Sequence, residues 1–291
     1  MKKWFAAAMA VFFLLTASGC AVRDSDPPRF RIVTSFYPMY IMTLNIADGI
    51  DGVQIDNMAG QQAGCLHDYQ LQSKDMKNLE SADVFVINGA GMESFLEEVA
   101  AQLPDLEVLD SSEGIELISE GGDENPHVWV SITDCIQQVE NIAEGLAQAD
   151  PDHALEYLEN AQEYEAKLSV LRGKMHEELD DLPNRDIVTF HEAFPYFAQE
   201  FNLRIVQVVN REPDSQPSAK EMADTIRLIR ETGVKAVFAE PQYPESAANV
   251  IAEESGASFY FLDPAVTGEN DPDAYLDAME KNLETLKEAL S

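Results

Sequence analysis

Two periodicities alternate along this chain, and the alternation occurs twice. Short β-branched and aromatic runs at residues 31–35, 53–58, 84–88 and 106–109 predict strands. Between them, residues 40–47, 73–80 and 92–103 carry helical spacing. A Gly-rich acidic loop at 111–125 breaks the pattern and ends at Pro126-His127-Val128-Trp129. From 131 to 180 the pattern is helical, interrupted at Asp150-Pro151, where Pro151 suits the first turn of a new helix. One helix to about 149 and a long one over about 152–178 are therefore predicted. Along the long one, Leu155, Leu158, Ala161, Tyr164, Leu168, Leu171 and Met175 recur at threes and fours, which predicts one buried stripe.

Beyond the long helix the alternation resumes. Strands are expected at 187–190, 204–209, 236–239 and 258–262, with a helix entry at 192–199. Pro217-Ser218 followed by Glu221 predicts a capping box, and Asp271-Pro272 the start of the last helix. Ile32-Val33-Thr34 and Ile187-Val188-Thr189 open the two halves alike, each leading into a Phe/Tyr/Pro-rich helix entry. The expected fold is α/β: two similar lobes with parallel sheets, joined by one long linking helix around a cleft. The boundaries drawn are 30–130 for the first lobe, 131–182 for the link and 183–291 for the second lobe.

Charge narrows the partners. The chain carries 53 acidic and 19 basic side chains, a formal net charge of -34. Such a chain repels nucleic acid and anionic membrane surfaces. Its N-terminus reads as a targeting segment: Lys2 and Lys3 precede an apolar run over 4–15, too short for a permanent span, then Thr16-Ala17-Ser18-Gly19-Cys20. Small residues leading into a cysteine resemble the lipobox of bacterial lipoproteins. The expectation is a signal peptide over 1–19, a lipid on Cys20, a flexible tether over 20–29 and an exported protein held at the outer face of the cell membrane; simple secretion is the alternative. In an exported chain the two remaining cysteines, Cys65 and Cys135, are either a disulfide pair or two free thiols.

Chemistry gathers at strand ends. Of the five histidines, His153 and His176 lie on the long helical stretch, where solvated faces explain them. His67 follows the second strand, His127 ends the first lobe, and His191 ends the first strand of the second lobe. Asp263 ends the last strand, in Phe261-Leu262-Asp263-Pro264. Open α/β sheets place ligands at the carboxyl ends of strands. Three imidazoles and a carboxylate there form a tetrahedral set suited to Zn2+.

The chain resembles the metal-binding solute-binding lipoproteins of bacterial zinc and manganese ABC importers. The shared stretches are Leu66-His67-Asp68-Tyr69, Ala82-Asp83-Val84-Phe85-Val86-Ile87-Asn88-Gly89 and Asn125-Pro126-His127-Val128-Trp129. Phe190-His191-Glu192-Ala193-Phe194, Phe238-Ala239-Glu240-Pro241-Gln242 and Leu262-Asp263-Pro264 complete them. The resemblance implies two α/β lobes on one long helix, a metal between them, and ligand positions at His67, His127, His191 and Asp263. It further implies delivery of Zn2+ to an ABC importer permease, and a monomer is expected. There are departures. The loop before His127 carries Glu113, Glu116, Glu120, Asp123 and Glu124 with no histidine, and residues 68–71 lack the family's usual Glu-Pro. Cys65 beside His67 is unusual and places a soft donor near the site. Glu240, Asp68 and Glu192 are candidates to orient the imidazoles, Glu240 first among them because it ends a strand facing the cleft.

Three other functions compete with zinc delivery. A zinc hydrolase needs an open position for water beside three histidines, but the chain has no His-Glu-x-x-His pair, serine nucleophile motif or phosphate loop. A manganese carrier would favour a carboxylate at the third position, where His191 stands. A surface adhesin fits lipid anchoring, but no residue pattern specifies its partner.

Overall fold

Two four-stranded sheets, all parallel within themselves, form the frame of the computed structural model, which describes residues 29–67, 69–120, 122–209, 217–242 and 244–291. The signal-peptide and tether expectations, Cys20 and Asp68 fall outside these residues. In the first lobe β1 (Phe30–Thr34), β2 (Val53–Asn57), β3 (Val84–Ile87) and β4 (Glu107–Asp110) lie in the order β2-β1-β3-β4. They are linked by α1 (Tyr37–Ala47), α2 (Ser73–Leu79) and α3 (Leu96–Gln102). The acidic loop contains a small antiparallel hairpin of β5 (Ser119–Glu120) and β6 (Asp123–Glu124).

After a 3-10 turn at Val128–Val130 come α4 (Ile132–Ala149), a second 3-10 turn at Pro151–His153 and α5 (Ala154–Leu179). The second lobe then runs β7 (Asp186–Thr189), α6 (Pro195–Glu200), β8 (Arg204–Val208), α7 (Ala219–Thr232), β9 (Ala236–Ala239), α8 (Ser246–Ser255), β10 (Ser258–Phe261) and α9 (Ala274–Leu290). Its sheet order, β8-β7-β9-β10, repeats that of the first lobe strand for strand. Both sheets thus reverse direction of growth at the same place, between the first and third strands.

Local chemistry explains most element ends. Ser218 caps α7 by accepting from Glu221 N while Glu221 accepts from Ser218 N, the predicted capping box. Gly233 then ends α7 in the left-handed conformation. The helix expected from 192 starts only at Pro195, because Pro195 seats at N1 and residues 192–193 form a turn.

The 26 residues of α5 span about 39 Å, and the helix packs on α4 and α1 on one side and α9 on the other. One correction applies to its stripe. Leu155 is 68% and Leu158 37% exposed, and Tyr157 is buried in their place. The buried series Tyr157, Ala161, Tyr164, Leu168, Leu171, Met175 and Leu179 steps by four and three, whereas Leu155 and Leu158 fall off that line. Tyr157 also donates to Asp150 Oδ2 at 2.9 Å, which gives its buried hydroxyl a partner at the helix entry.

A single apolar core underlies both lobes. In the second sheet Ile187, Ala236 and Phe238 face this shared core, while Val188 and Val237 face a smaller cluster beneath α7 and α8. Polar ties cross between the lobes as well. Trp129 Nε1 donates to Pro264 O at 2.7 Å, and Tyr275 donates to Trp129 O at 2.8 Å. Tyr37 donates to Glu269 O and Tyr40 to Asn270 Oδ1. Glu200 accepts from Ile132 N and Thr133 N at the start of α4.

Beneath the end of the first lobe lies a buried polar network. Glu93 accepts from Asn88 N at 2.8 Å and Gly89 N at 3.1 Å, and Asn88 Nδ2 donates to Pro126 O at 2.9 Å. Gly89 cannot be replaced in place: its φ is +79° and an added Cβ would meet Asp110 Oδ1 at 1.8 Å. Burial pushes Glu93 up to about 7 from 4.5, although its two N–H bonds oppose this, and burial pushes Asp134 up to about 6 from 3.8. Both bind more protons folded than unfolded between their ordinary and raised values. Their contribution to stability is thus present at low pH and lost as pH rises through about 6 to 7. Glu93→Gln removes one titration, so the fall in urea midpoint between about pH 5 and about pH 8 should be smaller than in the wild type. Equal falls in the two proteins would contradict this.

Candidate metal centre

The register of the second sheet sets one side of the site. Thr189 lies opposite Phe238, and Phe190 N continues the ladder to Phe238 O at 2.9 Å. Two residues beyond Thr189 and Phe238, His191 and Glu240 meet at the carboxyl ends of β7 and β9. This is where the sheet reverses its order of growth, the place where parallel sheets open a crevice. His191 Nδ1 is 2.7 Å from Glu240 Oε1, with the side chains 2% and 1% exposed. The carboxylate oxygen accepts in this contact, so Nδ1 carries its hydrogen and Nε2 is the ring nitrogen left to meet a cation.

His127 is held by the same device from different atoms. Asn125 Oδ1 accepts from both His127 N and His127 Nδ1, each at 3.0 Å, in a turn the asparagine closes on its own backbone. The lone pair is left on Nε2. The second lobe grips Asn125 in turn: Tyr196 donates to its carbonyl at 2.6 Å, and its Nδ2 donates to Glu192 O at 2.8 Å. Sequence reading did not single out Asn125, although an asparagine two residues before a candidate ligand is the signal for such a turn. Burial, and after it the neighbouring imidazoles of His191 and His67, hold His127 well below the usual histidine pKa. Its ring is therefore neutral at ordinary pH.

The third donor comes from the loop after β2. Leu66 is wholly buried between the half-buried Cys65 and His67, and Tyr69 N closes a turn onto Leu66 O at 3.0 Å. Burying one leucine contributes about 1.5–3 kcal/mol, enough to pin this loop with its neighbours turned toward the cleft. His67 Nε2 then lies 3.2 Å from His127 Nε2. Ring centroids are 5.0 Å apart for His67 and His127, 5.8 Å for His67 and His191, and 4.8 Å for His127 and His191. Cys65 Sγ joins them, and the four donor atoms all lie within 4.8 Å of one another. Two nitrogens at zinc-bond length in a tetrahedron are about 3.3 Å apart, so the 3.2 Å pair fits one shared ion.

One expected ligand lies apart from this group, and one open alternative is decided. Asp263 is not in this group. Its Oδ1 accepts from Ala265 N at 2.9 Å and Gln242 Nε2 at 3.2 Å, and its backbone is clamped at both ends by Asn282 of α9. These bonds hold its carboxylate in its own turn, outside the four-donor group. Cys65 and Cys135 form no disulfide; both are free thiols. Cys135 is buried in the shared core on α4, while Cys65 stands among the histidines. Burial, with Glu240 nearby, pushes the Cys65 thiol upward, which keeps it protonated. Glu240 Oε1 lies against His191 Nδ1, and Glu192 contributes its backbone carbonyl to Asn125.

The comparisons follow the geometry. Residues 32–289 match the family described as zinc-uptake complex component A, periplasmic. The high-affinity zinc uptake system protein ZnuA of Bacillus subtilis (strain 168) is 30% identical over 318 residues, covering 99% of this chain and 98% of that protein. The zinc-binding lipoprotein AdcA of Streptococcus pneumoniae serotype 4 is 28% identical over 307 residues; the match takes in 97% of this chain and 59% of AdcA. FpvC of Pseudomonas aeruginosa in complex with Mn2+ superposes with a TM-score of 0.81 at 30% identity, covering 90% of this chain and 98% of that one. The Zn(II)-bound ZnuA-like domain of Streptococcus pneumoniae AdcA gives a TM-score of 0.79 at 28% identity, with 90% and 98% coverage.

Glu240 offers a direct check on this geometry. Glu240→Ala frees the His191 ring to rotate and change tautomer, which should weaken divalent-metal binding by about 10–100-fold. Competition against a chromophoric chelator measures it, with far-UV circular dichroism to verify the fold. Unchanged affinity would show that the His191–Glu240 bond does not prepare the site.

Proposed function

The chain belongs to the family of zinc-uptake complex component A, periplasmic, and from that premise we propose which side chains take the ion and how the protein is held where it works. It is an extracytoplasmic zinc-binding protein that works with an ABC importer permease, and it is a carrier, not an enzyme. In the proposed site His67, His127 and His191 bind Zn2+ through Nε2. The observation that supports this reading is the convergence of three imidazoles, two of them buried with Nδ1 already engaged.

Manganese has one observation in its favour, the Mn2+ complex of the similar FpvC fold. Hard oxygen donors suit manganese, and the four-donor group contains none. Zinc is therefore the cargo of this reading.

The remaining parts of the proposal concern attachment and organisation. The charged start, apolar run and small residues before Cys20 support removal of residues 1–19 and a lipid on the Cys20 sulfur. Residues 20–29 then form the tether, 30–130 and 183–291 the lobes and 131–182 the link, in a monomer. Among the described residues no helix is long and apolar enough to cross a membrane.

Two measurements test these points. Competition titrations at fixed pH should show zinc held far more tightly than manganese, and His191→Glu should narrow that gap; a wild type that holds both equally would overturn the zinc assignment. Cys20→Ala should shift the protein from the membrane to the soluble fraction. Persistence at the membrane would refute the lipid anchor.

A further inference from the structure

We propose that Cys65, not Asp263, supplies the fourth zinc ligand, so that this chain presents three imidazoles and one thiolate to its ion. The proposal rests on the zinc-site reading above and specifies the donor that the histidines leave undetermined.

Position is the first argument. Cys65 Sγ is within 4.8 Å of a donor nitrogen on each of His67, His127 and His191. In a tetrahedral zinc site a thiolate sulfur and an imidazole nitrogen stand about 3.6 Å apart, from bonds of about 2.3 and 2.0–2.1 Å. Small side-chain rotations close the difference. The buried Leu66 anchors the two donors from the position between them.

The second argument is the state of the competing carboxylate. Asp263 Oδ1 already serves two donors, Ala265 N and Gln242 Nε2, and Gln242 is in turn held by Thr267 Oγ1 at 3.0 Å. Asn282 fixes the Asp263 backbone through both N and O. For Asp263 to ligate the ion, Oδ1 would have to leave this network or Oδ2 would have to reach the histidines, and no oxygen of Asp263 belongs to the four-donor group. For Cys65, no comparable set of bonds has to be broken.

Charge is the third. A divalent ion on three neutral imidazoles brings two positive charges into a site whose His127 and His191 are almost fully buried. One anionic donor in direct contact is the economical remedy. Ligation provides it: a zinc–sulfur bond forms, the sulfur–hydrogen bond breaks, and the proton passes to solvent on the half-buried side of the loop. A thiolate is also the softest protein donor available, and it shifts selectivity further from manganese toward zinc.

The test uses cobalt as the probe. The mature protein, reduced and stripped of metal, is titrated with Co2+ and its absorption recorded; zinc affinities are measured by competition on the same samples. The wild type should show visible bands of tetrahedral cobalt together with a near-ultraviolet sulfur-to-cobalt charge-transfer band. Cys65→Ser should keep cobalt on the histidines, lose the charge-transfer band and bind zinc at least about 10-fold more weakly, the lower end of what losing even an outer partner costs. Asp263→Asn, which retains the Oδ1 acceptor, should keep both the band and the affinity. Tetrahedral cobalt without the charge-transfer band would overturn the thiolate while leaving the zinc reading intact, as would a zinc affinity that falls in Asp263→Asn but not in Cys65→Ser. A wild type that takes up neither cobalt nor zinc would instead overturn the zinc reading itself.

Discussion

The site depends on one constraint: buried imidazoles have to be turned so that their Nε2 atoms meet. His127 and His191 satisfy it through acceptors on Nδ1, the Asn125 amide oxygen and the Glu240 carboxylate. Neither acceptor is local chance. Asn125 is fixed from the second lobe by Tyr196 and the Glu192 carbonyl, and the neighbouring Pro126 is fixed from below by Asn88. Glu240 stands where the register of β7 and β9 brings it. The tautomers at the site are therefore set by the fold of both lobes together.

That dependence explains why the lobes are joined so firmly. One apolar core runs under both sheets, α5 packs on helices from each half, and Trp129 is bonded from the second lobe at both its ring and its carbonyl. A large hinge opening would break these contacts together and separate Asn125 from Tyr196. Motion confined to loops costs far less, because short turns can move without exposing the core.

Much of this was legible in the sequence, and what was not has identifiable causes. Strand and helix alternation, the break at Pro151 and the Ser218–Glu221 capping box are local signals, and local physics realised them. His191 stands just past a strand end, as its sequence context indicates, whereas His67 and His127 lie on loops that strand periodicity does not place. The surroundings of Asp263 were not legible, because its bonds come from Gln242, Ala265 and Asn282, the last on the C-terminal helix, whose register against β10 the sequence does not give. The same applies to the shift from Leu155 and Leu158 to Tyr157. All three residues suit a buried stripe, and only the packing of α5 against its neighbours chooses between them. The two cysteines were readable as an even pair; that one belongs to the core and the other to the cleft required coordinates.

The donors are unequally sheltered: His127 and His191 are buried, whereas Cys65 and His67 sit half-buried on a single loop. An ion between them has a deep side that belongs to the rigid frame and a shallow side that belongs to residues 58–72. Water, or a competing ligand offered by a docked membrane protein, reaches the shallow pair first. On the proposed ligand set, unloading would begin at the loop, with the two inner rings the last to release the ion. The same asymmetry makes the loop the part of the molecule on which the lifetime of the loaded state turns.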